Sequence, residues 1–162
     1  MSAARRLLIF GGIALAALGM LYGLQYAVFV EHQTLEQMGG SLAKGFVHAA
    51  KRQMPEAHAA IDAYAGVKYD YVRQVDLHSH WIGLGMIMIV LGVVFDRVAF
   101  GPAMQFGLAL AFSVGAAIFP LGVILQTLTH GAALASALAI VGSTLVIVSL
   151  ALIAVGFARQ SA

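Results

Sequence analysis

Histidine is the residue type through which this chain could hold a metal ion or a haem. The sequence contains six histidines and no cysteine among its 162 residues. The lack of cysteine excludes disulfides, iron–sulfur clusters, thiolate zinc sites and haem attached through a C-x-x-C-H motif. Imidazole suits haem iron, zinc and copper alike. The chemistry open to the chain therefore depends on which histidines the fold brings together.

The composition is that of an integral membrane protein. Hydrophobic residues make up 61% of the chain, charged residues make up 10%, and the mean hydropathy is +0.91. A soluble domain is nearer half apolar and about a quarter charged, so these charges are too few to cover a soluble surface. The net charge is only +2 and forms no basic stripe. Soluble enzymes, disordered tails and nucleic-acid-binding domains are thereby excluded.

Four stretches are apolar over the length of about 20 residues that a bilayer-spanning helix needs. The predicted membrane helices are 7–30, 77–95, 104–128 and 132–157. The first is longer than a signal-peptide core and no A-x-A-like site follows it, so we expect it to be retained. The predicted fold class is all-α: a four-transmembrane-helix bundle with two amphipathic helices between the first two membrane helices, in a single membrane domain over 1–162.

Basic residues beside the membrane helices predict the orientation of the chain. Arginines precede the first helix, join the second to the third and follow the last: Arg5, Arg6, Arg97 and Arg159. The connection at 130–131 carries neither lysine nor arginine. The positive-inside rule therefore predicts that both termini are cytoplasmic, in a bacterial inner membrane, and that the segment 31–76 lies outside.

The outer segment 31–76 has the apolar spacing of helices rather than of a loop. Thr34 and Gln37 have the spacing of a capping box, although the glycine pair at 39–40 weakens the helix that would follow. Pro55 suits the first turn of a second helix. We expect two amphipathic helices on the outer membrane surface, the second running towards the second membrane helix.

Four histidines fall at the outer boundary of the predicted membrane. His32 ends the first helix, His78 and His80 begin the second, and His130 ends the third. A haem or metal held inside a helix bundle takes its ligands from facing helices in this way. The alternative, that these are ordinary amphipathic residues at the headgroup level, stays open.

His78 and His80 cannot both ligate one metal from a regular helix, because side chains two positions apart diverge by about 200°. His78 shares its face with Gly85 and Gly92, small residues that admit either a flat macrocycle or a close neighbouring helix. We therefore favour His78 as the residue that faces the bundle. A non-helical turn at the membrane boundary would favour His80 instead, so the choice stays open.

The segment from His78 to Gly85, H-S-H-W-I-G-L-G, resembles the H-x-H-x-x-x-L-G segment that opens a transmembrane helix in small membrane proteins related to haem–copper oxidase subunit I. In that superfamily an outer-side histidine of the second helix ligates a haem. The resemblance spans eight residues and implies a haem b. It does not imply oxygen reduction, because the chain lacks the many helices, the copper ligands and the cross-linked tyrosine of an oxidase.

These observations lead to a first hypothesis, haem b held near the outer face for electron transfer or within a respiratory complex. His78 or His80 would be one ligand, His130 is the best placed second ligand, and His32 is the reserve. The alternatives are a non-catalytic accessory or scaffold subunit of a membrane complex, and a copper or zinc site at His78, His80 and His130. A quinone pocket beside the histidines is compatible with all three.

The sequence shows no catalytic motif, so an electron carrier or a subunit is favoured over an independent enzyme. No aspartate, glutamate, lysine or arginine lies deep within a predicted membrane helix, which disfavours an ion pump or a proton relay. The expected partners are the lipid bilayer, a redox protein or other membrane subunits, and a further copy of the chain. We expect no nucleic-acid partner.

Overall fold

The computed structural model describes residues 1–129 and 132–160, and these are helical almost throughout. The α-helices are α1 (Ala3–Phe29), α2 (Glu31–Ala50), α3 (Met54–Val94), α4 (Pro102–Leu128) and α5 (Ala133–Gln160), and a 3-10 turn at Phe95–Arg97 follows α3. Within the described ranges there is no strand. Helices α1, α3, α4 and α5 are long and apolar enough to cross a membrane. The all-α class and the four membrane helices are confirmed, and the protein is a multi-pass membrane protein.

The chain divides into two compact units. The first consists of residues 1–20 together with the described residues from Leu77 onwards, and the second is Leu21–Asp76. The second unit, hereafter the hairpin unit, holds the predicted segment 31–76 and the end of α1. Helices α1 and α3 each contribute residues to both units.

The second of the predicted amphipathic helices is not a separate element. Helix α3 runs without interruption over 41 residues, Met54–Val94, whereas the sequence suggested a new membrane helix from residue 77. Neither proline nor glycine lies between Val67 and Ile82, so nothing interrupts the helical hydrogen bonds where the polarity changes. A helix of this length measures about 60 Å, roughly twice the hydrocarbon thickness. Only part of α3 can therefore lie within the bilayer.

The predicted capping box at Thr34 is also wrong. Helical hydrogen bonds continue past Val30: its amide donates to the Tyr26 carbonyl at 2.9 Å, and the Thr34 amide donates to the Val30 carbonyl at 3.1 Å. The Thr34 hydroxyl donates to that same carbonyl at 3.1 Å instead of accepting from an amide. Helix α2 accordingly begins at Glu31. The prediction of Pro55 in the first turn of the next helix is confirmed.

A Schellman motif ends α2. The Gln53 amide donates to the His48 carbonyl and the Arg52 amide to the Ala49 carbonyl, both at 2.9 Å. Arg52 takes the left-handed conformation with φ 57°, at the position where glycine is usual. An L-residue with a side chain pays about 1–2 kcal/mol for this conformation. The turn reverses the chain, so that Gly45 of α2 packs against α3 at Ile61.

Glycines bring α1 and α3 into backbone contact within the first unit. An ideal Cβ on Gly12 would lie 2.6 Å from the carbonyl oxygen of Gly85, and one on Gly85 would lie 2.6 Å from the carbonyl oxygen of Gly12. An ideal Cβ on Gly92 would lie 2.6 Å from Cγ1 of Ile9. Of the two roles suggested for Gly85 and Gly92, the structure therefore shows the close helix contact.

Small residues also line the contact between α4 and α5. The buried residues of α5 recur at heptad spacing: Ala135, Ala139, Gly142, Val146, Ser149, Ile153 and Gly156. An ideal Cβ on Gly142 would lie 2.5 Å from the backbone nitrogen of Phe119, and one on Gly122 would lie 2.4 Å from that of Ala139. Helices in lipid associate mainly through such close packing, because lipid supplies no hydrophobic force between them. Phe119 is thus held at its backbone by α5.

Candidate cofactor site

The four histidines predicted as ligands lie in different surroundings. His78 and His80 are half-buried on α3 in the first unit, and His32 is exposed on α2 in the hairpin unit. His130 lies outside the described residues. Over 1–129 and 132–160, no group of three histidine or carboxylate side chains is placed to hold a metal ion.

His32 is engaged at a helix surface. Its Nε2 lies 3.1 Å from Oε1 of Glu36, one turn further along α2, and the two side chains are 84% and 68% exposed. Ion pairs this exposed contribute about 0–1 kcal/mol. The imidazole of a haem ligand is normally enclosed by its cofactor and the surrounding helices. His32 is therefore the least suited of the three described histidines.

The side chains of His78 and His80 leave α3 in different directions. Helix α3 is regular through both residues, so their side chains diverge by about 200° and the non-helical turn considered from the sequence is absent. The His80 ring meets the Phe119 ring of α4 edge-on, with centroids 4.8 Å apart and planes at 86°. The backbone of α3 at His78 lies beside α1, with the His78 carbonyl oxygen 3.1 Å from an ideal Cβ on Gly19. The structure thus places His80 against α4, which the sequence preference for His78 did not anticipate.

A shallow groove of about 290 Å³ begins at His80. Its described lining is mostly apolar and comes from consecutive turns of α3: Ser79, His80, Gly83, Leu84 and Ile87. No described atom from outside the local helix comes within 4 Å of an ideal Cβ on Gly83. His80, Gly83 and Ile87 repeat at the i, i+3 and i+7 spacing of one helix face. The half-buried imidazole of His80 therefore lies at one end of a mostly apolar groove.

These residues fit one face of a haem. His80 brings an imidazole to the groove, Gly83 leaves the backbone bare one turn along the helix, and Leu84 and Ile87 offer apolar contacts. The perpendicular contact with the Phe119 ring limits rotation of the imidazole. The groove is at the small end of ligand pockets, which measure about 300–1,000 Å³. A second ligand and the other face would have to come from residues beyond this groove.

Sequence reasoning missed Gly83 and Phe119. Gly83 could have been found, because it follows His80 by one helical turn. The contact of His80 with Phe119 joins two helices that are far apart in the sequence, and no spacing reveals it. The glycines that were noticed, Gly85 and Gly92, pack on α1.

No protein-family model, curated protein or solved structure matches this chain.

Proposed function

We propose that this multi-pass membrane protein binds haem b through His80 and serves in electron transfer, as a carrier or as a component of a respiratory complex. The observation that carries the proposal is the half-buried His80 imidazole, restrained edge-on by Phe119 and opening on an apolar groove at Gly83. The resemblance of the segment 78–85 to small membrane proteins related to haem–copper oxidase subunit I supports haem b as the cofactor, without choosing between His78 and His80. His130 is the second ligand in this proposal, ahead of His78 and His32.

Each residue of the groove has a defined part in this function. When bound, a haem with two imidazole ligands takes up and releases one electron without exchanging a ligand. His80 donates a ring nitrogen, and Phe119 limits rotation of the ring. Gly83 leaves room for a flat molecule, and Leu84 and Ile87 keep water away, which affects the reduction potential.

The absorption spectrum of the chain, purified after expression with ample haem, tests the proposal directly. We expect a Soret band with the α and β bands of low-spin haem. His80→Ala abolishes the low-spin spectrum, whereas His58→Ala, an exposed histidine of α3 in the hairpin unit, leaves it unchanged. Absence of a Soret band from the wild-type chain overturns the proposal, and elemental analysis then shows whether copper or zinc is bound instead.

A second pair of variants separates the groove from the ligand. Gly83→Leu fills the groove and keeps the His80 side chain in the sequence, and we expect it to lower haem occupancy severalfold. Gly107→Leu on α4 is the matched control, because no described atom from outside the local helix lies within 4 Å of an ideal Cβ there either. Equal haem occupancy in the two variants would contradict a role for the groove.

The hairpin unit favours a second candidate function, that of an accessory or scaffold subunit. A groove of about 210 Å³ near the turn between α2 and α3 is lined mainly by apolar residues. Phe46 at this groove is 68% exposed, with Val47 and Met54 half exposed beside it. Apolar surface of this kind is typical of a docking face for another membrane subunit or a redox protein. Co-purification of a larger complex without a chromophore, lost on Phe46→Ser, would favour this function over haem binding.

The orientation belongs to the same proposal: both termini are cytoplasmic and the hairpin unit lies outside, in a bacterial inner membrane. The chain has no cysteine, so single cysteines report their own accessibility. We expect an impermeant maleimide added outside to label Gln53→Cys and not Ser2→Cys. Labelling of Ser2→Cys alone would reverse the orientation.

A further inference from the structure

A polar pocket of about 150 Å³ lies within the hairpin unit, where α1 gives way to α2. Residues of α1, α2 and α3 line it together: Tyr26, Val30, Thr34, Gln37, Val67, Asp70, Tyr71 and Gln74. All of them belong to the hairpin unit, so the pocket is separate from the groove at His80 and does not depend on the haem proposal.

The Tyr26 hydroxyl is the hydrogen-bond donor that distinguishes this pocket. Tyr26 is only 5% exposed, and its hydroxyl is buried with no hydrogen-bond partner among the described residues. A buried hydroxyl without a partner loses its hydrogen bonds to water and gains none within the protein. Native proteins rarely contain such a group. Tyr26 also lines the pocket, so a molecule bound there supplies the acceptor that the described residues do not.

Neighbouring hydroxyls in the hairpin unit are already committed. Tyr71 donates to Glu31 Oε1 at 3.2 Å, the Thr34 hydroxyl donates to a backbone carbonyl, and Tyr22 donates to the side-chain oxygen of Gln74. The rings of Tyr26 and Tyr71 stand 6.4 Å apart, inclined at 47°. Among these hydroxyls, Tyr26 is thus the donor without a described acceptor.

The remaining lining restricts the charge and size of the ligand. Among the described residues that line the pocket there is neither lysine nor arginine, whereas Asp70 is present, so an anion would meet repulsion. A cation would leave the Tyr26 proton unpaired. A cavity of about 150 Å³ accommodates one benzene ring. The pocket therefore selects a neutral six-membered ring that carries a hydrogen-bond acceptor.

The surroundings of Tyr26 indicate where such a ligand comes from. Tyr26 lies near the end of α1, a membrane-spanning helix whose last turns expose Leu24, Val28 and Phe29. Large apolar side chains at this place are suited to contact with lipid. We propose that the pocket binds the headgroup of a lipid-soluble quinone, one carbonyl oxygen accepting a hydrogen bond from Tyr26. The sequence had suggested a quinone beside the histidines, and this site is a different one.

Binding of decylubiquinone to the full chain in lipid nanodiscs tests the proposal by calorimetry, with empty nanodiscs as the baseline. We expect saturable binding that Tyr26→Phe weakens about fivefold to tenfold, the effect of one lost hydrogen bond. Tyr69→Phe is the matched control, because Tyr69 lies on α3 in the same unit, is 49% exposed and does not line the pocket. Decanoate, which carries an anionic head on a similar chain, is expected not to bind.

Thermal unfolding separates a ligand-binding hydroxyl from a structural one. Quinone-free Tyr26→Phe is expected to be at least as stable as the wild-type chain, because it deletes an unpaired hydroxyl and keeps the ring. Decylubiquinone should stabilise the wild-type chain and not the variant. Lack of saturable binding, equal affinity of Tyr26→Phe, or a lower stability of the quinone-free variant would each overturn the proposal. The His80→Ala variant is expected to bind the quinone normally, so failure of the haem proposal leaves this test intact.

Discussion

Replacing Gly142 by alanine would show whether the contact between α4 and α5 holds Phe119 in place against His80. An ideal Cβ on Gly142 lies 2.5 Å from the backbone nitrogen of Phe119, 2.7 Å from its Cα and 2.9 Å from its Cβ. Ordinary van der Waals contact begins at 3.4 Å, so the two helices must separate locally by about 0.9 Å. Backbone atoms cannot swing aside as the end of a flexible side chain can, so the added methyl group must displace Phe119.

Two opposing effects set the change in the free energy of unfolding that Gly142→Ala causes. Overpacking a well-packed interior costs about 1–3 kcal/mol, whereas alanine is favoured over glycine inside a helix by about 1 kcal/mol. Gly107→Ala on α4 gains the same helix propensity without overpacking, because no described atom from outside the local helix lies within 4 Å of its ideal Cβ. The difference in free energy of unfolding between the two variants should therefore be about 1–3 kcal/mol, with Gly142→Ala the less stable.

Denaturant titration in mixed micelles, followed by circular dichroism, measures this difference, and the NMR resonance of the His80 imidazole reports the position of the Phe119 ring. We expect that resonance to shift in Gly142→Ala and to stay in place in Gly107→Ala. Stabilities equal within about 0.5 kcal/mol, the usual spread of surface substitutions, would refute the packing argument. A lower stability with an unchanged His80 resonance would refute the connection from α5 to His80.

Three further substitutions test local features. Arg52→Gly relieves a left-handed arginine, so slower amide hydrogen exchange at the end of α2 is expected, and faster exchange would contradict the assigned strain. Asp96→Asn removes an exposed ion pair with Arg5 at 2.9 Å; thermal unfolding at low and high salt should show a small loss of stability that disappears with salt. Gln105→Ala removes the side-chain amide that donates to carbonyl groups in the connection 98–100; denaturant titration should show a loss of about 1–3 kcal/mol, and no loss would mean that water replaces the amide.

The number and place of the membrane helices could be predicted because the bilayer imposes a length and an apolar composition on each. The start of α3 could not be predicted from the same signal. A change of polarity near Asp76 marks a change of surroundings, whereas a helix ends only where its hydrogen bonds are interrupted, as they are after Ala50. The error at Thr34 has a related cause, since a capping residue acts only where a helix begins.

At the candidate site, residue types and helix faces could be predicted and contacts could not. The divergence of His78 and His80 follows from the geometry of one helix, and α3 is regular through both. The contact of His80 with Phe119, by contrast, depends on how α3 and α4 pack. The buried hydroxyl of Tyr26 was likewise invisible, because tyrosine near the end of a membrane helix is ordinary interfacial composition.

Because small residues make up much of the α4–α5 contact, side-chain shape alone does not fix the alignment of the two helices. Small residues repeating every seven positions offer several nearly equivalent registers, and lipid supplies no hydrophobic force to choose among them. The side-chain amide of Gln126 donates to the Ser136 hydroxyl at 3.1 Å across this contact. Sliding by one heptad would break that bond and leave an amide unpaired in an apolar medium. The hydrogen bond between Gln126 and Ser136, near the connection between the helices, therefore favours one register along the whole α4–α5 contact.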